Sequence, residues 1–190
     1  MNYLIPIAII VILVISLIIL DKKTTILRDD SSALKKPYSF SRVQLAWWTV
    51  IITGSYVYEL LMHWNCLSDT STCQIVSDSS LVLLGISAST TAAGKLIDSS
   101  QQDKTRHQDL NSEGFFIDLL SDENGVSIHR LQCVAFHILF GIIFLVKVYY
   151  NSQTPLLPNF EQHEWALLGI SSGTYAALKT NENNSTQPVG

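Results

Sequence analysis

Residues 83–95, LLGISASTTAAGK, return as residues 167–179, LLGISSGTYAALK, with 9 of the 13 positions identical. A second echo lies upstream of each copy: SFSRVQ at 39–44 and SIHRLQ at 127–132 share the pattern S-x-x-R-x-Q. Internal repetition fixes architecture before any other consideration, because each copy must fold as the same supersecondary unit. Every S-x-x-R-x-Q opens an apolar run and every LLGIS lies in the next one. The repeated unit is therefore a pair of helices, used twice and preceded by one further apolar segment.

Residues 3–20 contain 18 positions without a single charge, the length and composition of a membrane span. The run lacks the basic leader and small-residue cleavage site of a signal peptide and ends Ile-Leu-Asp-Lys-Lys, so it is expected to remain as an anchor. The net charge of −4 conceals a segregation of the basic residues. Of the 12 Lys and Arg, six lie in 21–42, and Lys95, Lys104, Arg106, Arg130 and Lys179 follow the same alternation of sides; only Lys147 departs from it. By the positive-inside rule these eleven mark the cytoplasmic face. The expected protein is all-α and integral to the membrane. It has five transmembrane helices: two parallel two-helix repeats plus an N-terminal anchor helix, with its N-terminus outside and its C-terminus cytoplasmic.

Taken in order, the chain divides into an anchor (1–20), a basic cytoplasmic linker (21–40), repeat unit 1 (41–97), a cytoplasmic loop with an amphipathic segment (98–129), repeat unit 2 (130–179) and a disordered cytoplasmic tail (180–190). The repeat spans are expected near 43–62, 79–97, 131–150 and 164–179. Asp122-Glu-Asn-Gly125 signals a turn. It is not a calcium loop, since Leu120 and Leu131 stand where an EF-hand needs acids. The repeats run in the same direction, unlike the inverted pairs of many transporters.

No catalytic constellation is present: HExxH, a phosphate-binding loop and the dinucleotide glycine pattern are missing, and Gly169-Ile-Ser-Ser-Gly173, although it reads G-x-S-x-G, lies in an apolar helical repeat and not at the strand-to-helix turn that the motif requires. Neither enzymatic activity nor a cofactor or metal is expected. The LLGIS copies supply small faces, Gly85/Ser87/Ser89 and Gly169/Ser171/Gly173, suited to close helix packing in lipid. Thr90 and Thr174 extend those faces with hydroxyls; a polar pathway along them is the alternative. His137, Glu59 and Lys147 are ionisable groups at membrane depth, which default to functional candidates. Glu59 and Lys147 are equivalent at the 88-residue offset that relates Arg42 to Arg130, so a pair between them is one expectation and independent snorkelling the other. Arg42 with Gln44, and Arg130 with Gln132, begin their spans as interfacial anchors and caps, with Ser41 and Gln44 at capping-box spacing. Cys66 and Cys73 lie in a loop free of Lys and Arg and are candidates for a disulfide closing a small loop.

The paired pattern R-x-Q, aromatic-rich span, LLGIS-x-x-T resembles an uncharacterised group of small bacterial polytopic inner-membrane proteins, over residues 39–179. The resemblance implies a bacterial inner-membrane location and no particular activity; Ser89 here stands where the second copy has Gly173. Little of the chain lies outside the bilayer, so a homo-oligomer or a cytoplasmic protein partner is expected. The leading expectation is a non-enzymatic membrane scaffold or effector subunit, of a kind that would suit anti-phage defence, coupled to its partner through 21–40 and 98–129. The alternative is a small channel or transporter lined by the Ser/Thr faces of the third and fifth spans. Nucleic acid is not expected as a partner, because the basic residues are juxtamembrane and are not interleaved with exposed aromatics.

Overall fold

The computed structural model describes residues 4–67, 75–101, 106–151 and 155–182. Six α-helices carry the fold: α1 (Leu4–Thr24), α2 (Phe40–Met62), α3 (Asp78–Ser100), α4 (Phe115–Leu120), α5 (Ile128–Tyr150) and α6 (Gln162–Lys179). Two 3-10 turns, Trp64–Leu67 and His107–Asp109, and a hairpin of β1 (Ser121–Asp122) and β2 (Gly125–Val126) complete it. Four helices, α1, α2, α3 and α5, are long and apolar enough to cross a membrane.

Apolar on every side, α1 buries almost nothing within the chain, the pattern of a helix surrounded by lipid. It ends at Thr25, which takes the left-handed conformation (φ 54°) that commonly stops a helix. Buried Asp21 holds this end by accepting the Leu27 N–H at 3.0 Å and pairing with Arg28 at 3.4 Å. α3 opens on Ser77, whose Oγ accepts the Ser80 N–H. α6 opens on a capping box between Glu161 and Glu164.

α2, α3, α6 and α5 close into a four-helix ring, and α1 lies outside it against α2. Trp48, Ile51, Tyr58, Leu83, Phe144 and Leu168 fill the interior. Side chains of neighbouring helices press closest on three glycines. A Cβ on Gly54 would stand 2.5 Å from Ile10, one on Gly94 3.2 Å from the Ser41 hydroxyl, and one on Gly141 2.6 Å from Trp47. These sites replace the expected ones. A Cβ on Gly85 or Gly173 would meet nothing within 4 Å, and one on Gly169 only Ile86 at an ordinary 3.7 Å. The G-x-x-x-G of α6 therefore faces away from the tight contacts of this chain.

The two ends of the bundle differ. At the end away from most basic residues, 75–79 and 157–160 zip together: Leu157 N–H donates to Ile75 O, Phe160 N–H to Ser79 Oγ, and Ser77 Oγ to Pro158 O. At the basic end the linker and loop, expected as separate polar connections, fold into one cap. Arg28 and Tyr38 form an isolated antiparallel bridge with the guanidinium 4.3 Å over the ring, which turns the linker back on itself. The linker then binds the loop: the Ser32 N–H and hydroxyl both reach Asp109, the Ser112 N–H donates to Lys35 O, and the Tyr38 N–H donates to Asp118. The turn expected at 122–125 forms the β1–β2 hairpin, with Gly125 at φ 100°.

Candidate functional site

Where the cap meets the helix ends it encloses a polar cavity of about 260 Å3, walled by Asp29, Tyr38, Gln108, Arg130, Tyr175 and Lys179. Two cations here are deeply buried, Arg130 at 5% exposure and Lys179 at 2%. A charge in such a place persists only with partners, and each has one from another element. Lys179, the last residue of α6, bonds Asp98 near the end of α3 at 2.9 Å. Arg130, in the first turn of α5, is clamped by Glu182, two residues beyond Thr180 at the α6 C-cap, and lies 5.4 Å over the Tyr175 ring. Gln108 donates a second bond to Glu182 at 3.1 Å. Arg106 joins the network from the loop, 3.9 Å from Asp98 and 3.3 Å from Asp109, and donates to Asp30 O.

The loop members are polarised accordingly. Partial burial works most strongly against the charges of both Arg106 and Asp109, but for the guanidinium the Asp109 bond and the charges of Asp109, Asp98 and Asp29 together outweigh it and keep it protonated beyond its ordinary range. The N–H and hydroxyl of Ser32, together with the Arg106 bond, hold the Asp109 carboxyl below the usual carboxylate value.

Inside the bundle a second polar group runs from α2 to α6. Gln44 donates to Ser172 at 3.0 Å, Cys133 Sγ lies 2.9 Å from Ser171 Oγ, and His137 Nδ1 donates to Cys133 O at 2.7 Å. Trp47 Nε1 donates to His137 O, tying α2 to α5.

The expected site residues scatter among these features. Gln44 does not cap its helix with Ser41, because α2 starts earlier, at Phe40, and both side chains lie inside it. Arg42 pairs with Asp30 of the linker at 2.7 Å, whereas Arg130 is buried, so the two are not equivalent interfacial anchors. Gln132 remains on the surface. Glu59 and Lys147 do not pair with each other. Glu59, 1% exposed, has His63 at 3.6 Å; Lys147 has Glu164 at 3.3 Å and the Phe160 ring at 4.8 Å. The reason is rotational: α5 buries Phe144 and Val148, and Lys147 lies off that stripe, toward the chain entering α6. Ser87, Ser89, Thr90 and Thr174 donate to carbonyls of their own helices, so none of these hydroxyls bridges helices. The Cys66–Cys73 pairing lies outside the described residues, as does Lys104, and of the tail only residues through Glu182 are described.

Sequence reasoning missed Asp98, Gln108, Tyr175, Lys179 and Glu182 as site residues. One signal for them was present. At the 84-residue offset of the LLGIS copies, Lys95-x-x-Asp98 matches Lys179-x-x-Glu182, three residues past the point where the repeat was closed. Among the described residues no group of three His, Cys, Asp or Glu side chains is placed to hold a metal ion. No protein-family model matches the chain, and no curated protein and no solved structure matches it.

Proposed function

We propose that the chain is a non-enzymatic membrane scaffold or effector subunit whose folded basic-end cap receives a cytoplasmic protein partner. The observation that carries this reading is the construction of the cap. Three separate segments (linker, loop and the start of the tail) meet at the basic end, bonded to one another and to the buried charges of α3, α5 and α6. A connection that only set topology would have no need of buried ion pairs, which cost desolvation and contribute specific geometry. Any protein that grips the cap is thereby coupled to the ends of three helices.

In this reading α6 is a fifth span. Its 18 residues extend about 27 Å at 1.5 Å per residue, close to the hydrocarbon thickness. Its polar groups are spent on neighbours at the level of the other helices: Ser171 and Ser172 toward α5 and α2, and Lys179 toward α3. The clustering of the basic residues supports a cytoplasmic cap and an outside N-terminus, and the bacterial inner membrane is the location that the resemblance implies. The open small faces at Gly85 and Gly173 are where further copies would pack. The channel alternative draws less support, since the hydroxyls it needs are bonded to their own backbones and the interior is filled by aromatic and aliphatic side chains.

The test is photocrosslinking in native membranes from cap positions such as fully exposed Leu34 and from the opposite end at Trp64. A soluble protein captured in fixed ratio from Leu34 and never from Trp64 is the expected result. Capture of only lipid from Leu34, or labelling of Leu34 from outside intact cells, overturns the reading.

A further inference from the structure

The short helix α4 covers a furrow on the outer side of the bundle. Phe115, Phe116 and Leu119 of α4 line an apolar cavity together with Val43 and Trp47 of α2 and Ile138 of α5, and no residue of α3 or α6 takes part. The same furrow continues toward the other end under α1. There Ile7 and Ile10 of α1, Ser55 of α2 and Leu145 of α5 line a second, mostly apolar cavity of about 460 Å3. α1 and α4 therefore share one side of the four-helix ring, and α1 is a helix whose surroundings are apolar all round.

The level of α4 follows from the helix rise. Trp47 stands seven residues after Phe40 and Ile138 ten after Ile128, about 10 and 15 Å from the basic ends of their helices at 1.5 Å per residue. α4 thus lies beside the first turns of α2 and α5, both long and apolar enough to span, and not below them.

Its side chains are sorted to match. Leu119 is buried, whereas Phe116 is 72% and Ile117 46% exposed. Asp118, the one charged residue of α4, is bonded to the cap: it accepts the Tyr38 N–H at 3.0 Å, the Ser112 hydroxyl at 2.6 Å and the Glu113 N–H at 3.0 Å. The exposed face is left without a charge. Ile128 and Leu131, at the start of α5, are exposed too, and the strip continues along that helix to Leu139 and Ile142. An exposed apolar patch marks an interaction surface, and one that runs on into the outer face of a spanning helix has the same neighbour, lipid. Glu113 before α4 and Asp122 after it keep both ends at the headgroups, so the helix lies in the plane of the interface.

We infer that α4 is an interfacial anchor that seats the cap on the leaflet at the basic end, with Phe116 and Ile117 among its acyl chains. The inference rests on the membrane placement of the helices and does not need the cap to have a protein partner.

The experiment places p-benzoylphenylalanine singly at Phe116, Ile117, Leu139 and Leu34 of the full chain. Each variant is reconstituted in vesicles of phosphatidylethanolamine and phosphatidylglycerol and irradiated, and lipid adducts are read by mass. Leu139 on the outer face of α5 sets the lipid level, and fully exposed Leu34 of the linker sets the water level. Phe116 and Ile117 should match Leu139 and exceed Leu34 about tenfold, as an apolar face sunk below the headgroups requires. The exchange at Phe116 keeps an aromatic ring, and Ile117 repeats the reading should that variant fail to fold. Adducts only at the Leu34 level place α4 in water, and crosslinked dimers place its face against a second copy; either result overturns the inference. Absence of lipid on Leu139 overturns the membrane placement itself and this inference with it.

Discussion

Removing the carboxylate of Glu182 tests whether the buried ions at the basic end hold the fold or merely decorate it. In the structure the Arg130 guanidinium is 5% exposed and its partner is Glu182, itself supported by Gln108. In Glu182→Ala the cation stays in place with the Tyr175 ring as its remaining neighbour. Stripping one member from a buried pair costs about 3–5 kcal/mol, and because Arg130 borders a cavity that water can fill we expect the lower end. For a chain of 190 residues each kcal/mol moves the midpoint by roughly 2–4 °C, giving a fall of about 6–12 °C. Replacing both partners by apolar groups of similar size, Arg130→Met with Glu182→Leu, should recover most of the loss, since a buried pair is worth little more than the packing it displaces. The measurement is thermal unfolding in detergent followed by tryptophan fluorescence, with proteolysis of the tail as the local readout. A fall of less than about 1 °C in Glu182→Ala, or a double variant no better than the sum of the singles, refutes the claim that this pair closes the cap.

Three further outcomes follow from the same geometry. Gly141→Ala places a methyl 2.6 Å from Trp47 and 2.8 Å from Ile51 and should cost about 1–3 kcal/mol by overpacking, while Gly173→Ala, facing open space, should leave the midpoint of the isolated chain within about a degree. Because its folded carboxyl lies below the unfolded value near 3.9, Asp109 contributes stability that is complete above that value and lost as pH falls through the folded one; proteolysis at 31–35 should therefore accelerate only below about pH 4, and Asp109→Asn should reproduce the release at neutral pH. Exchanging charges, Glu59→Lys with Lys147→Glu, should show no rescue in a double-mutant cycle, because at that end Glu59 has His63 as its neighbour and Lys147 has Glu164.

The helices were legible because their signals are local. An uncharged run, an amphipathic period and interfacial aromatics each report on a few consecutive residues, and α1, α2, α3 and α5 all lie where those signals put them. Helix rotation was not legible. The small residues of LLGIS are compatible with tight packing, yet Gly85 and Gly173 look outward and the close approaches fall on Gly54, Gly94 and Gly141, whose neighbours give no motif. The cap was invisible for another reason: its bonds join residues about 75 to 80 apart, such as Ser32 to Asp109 and Tyr38 to Asp118, and no local pattern encodes them.

The two similar sequence stretches end on different ion pairs at the basic end. Asp98 and Glu182 occupy equivalent positions, as do Lys95 and Lys179, and Arg42 and Arg130. A symmetric protein would place both acids alike, either each against the Lys of the other unit or each against the Arg of its own. This chain does one of each: Asp98 takes Lys179 across the units, and Glu182 takes Arg130 within its own. Lys95 is left on the surface and Arg42 turns to Asp30. The linker and loop account for the asymmetry, since Arg106 reaches Asp98 from one side and Gln108 reaches Glu182 from the other. A single cap seated on two helix pairs of similar sequence meets unlike surfaces, and the ion pairs at the basic end differ accordingly. Arg42→Ala and Lys95→Ala should accordingly be mild in unfolding experiments, within about 0.5 kcal/mol as for ordinary surface positions, while Arg130→Ala and Lys179→Ala, which strand a buried carboxylate, should each cost several kcal/mol. Equal losses at the equivalent positions would mean that the two units carry the same load and that the cap does not distinguish them.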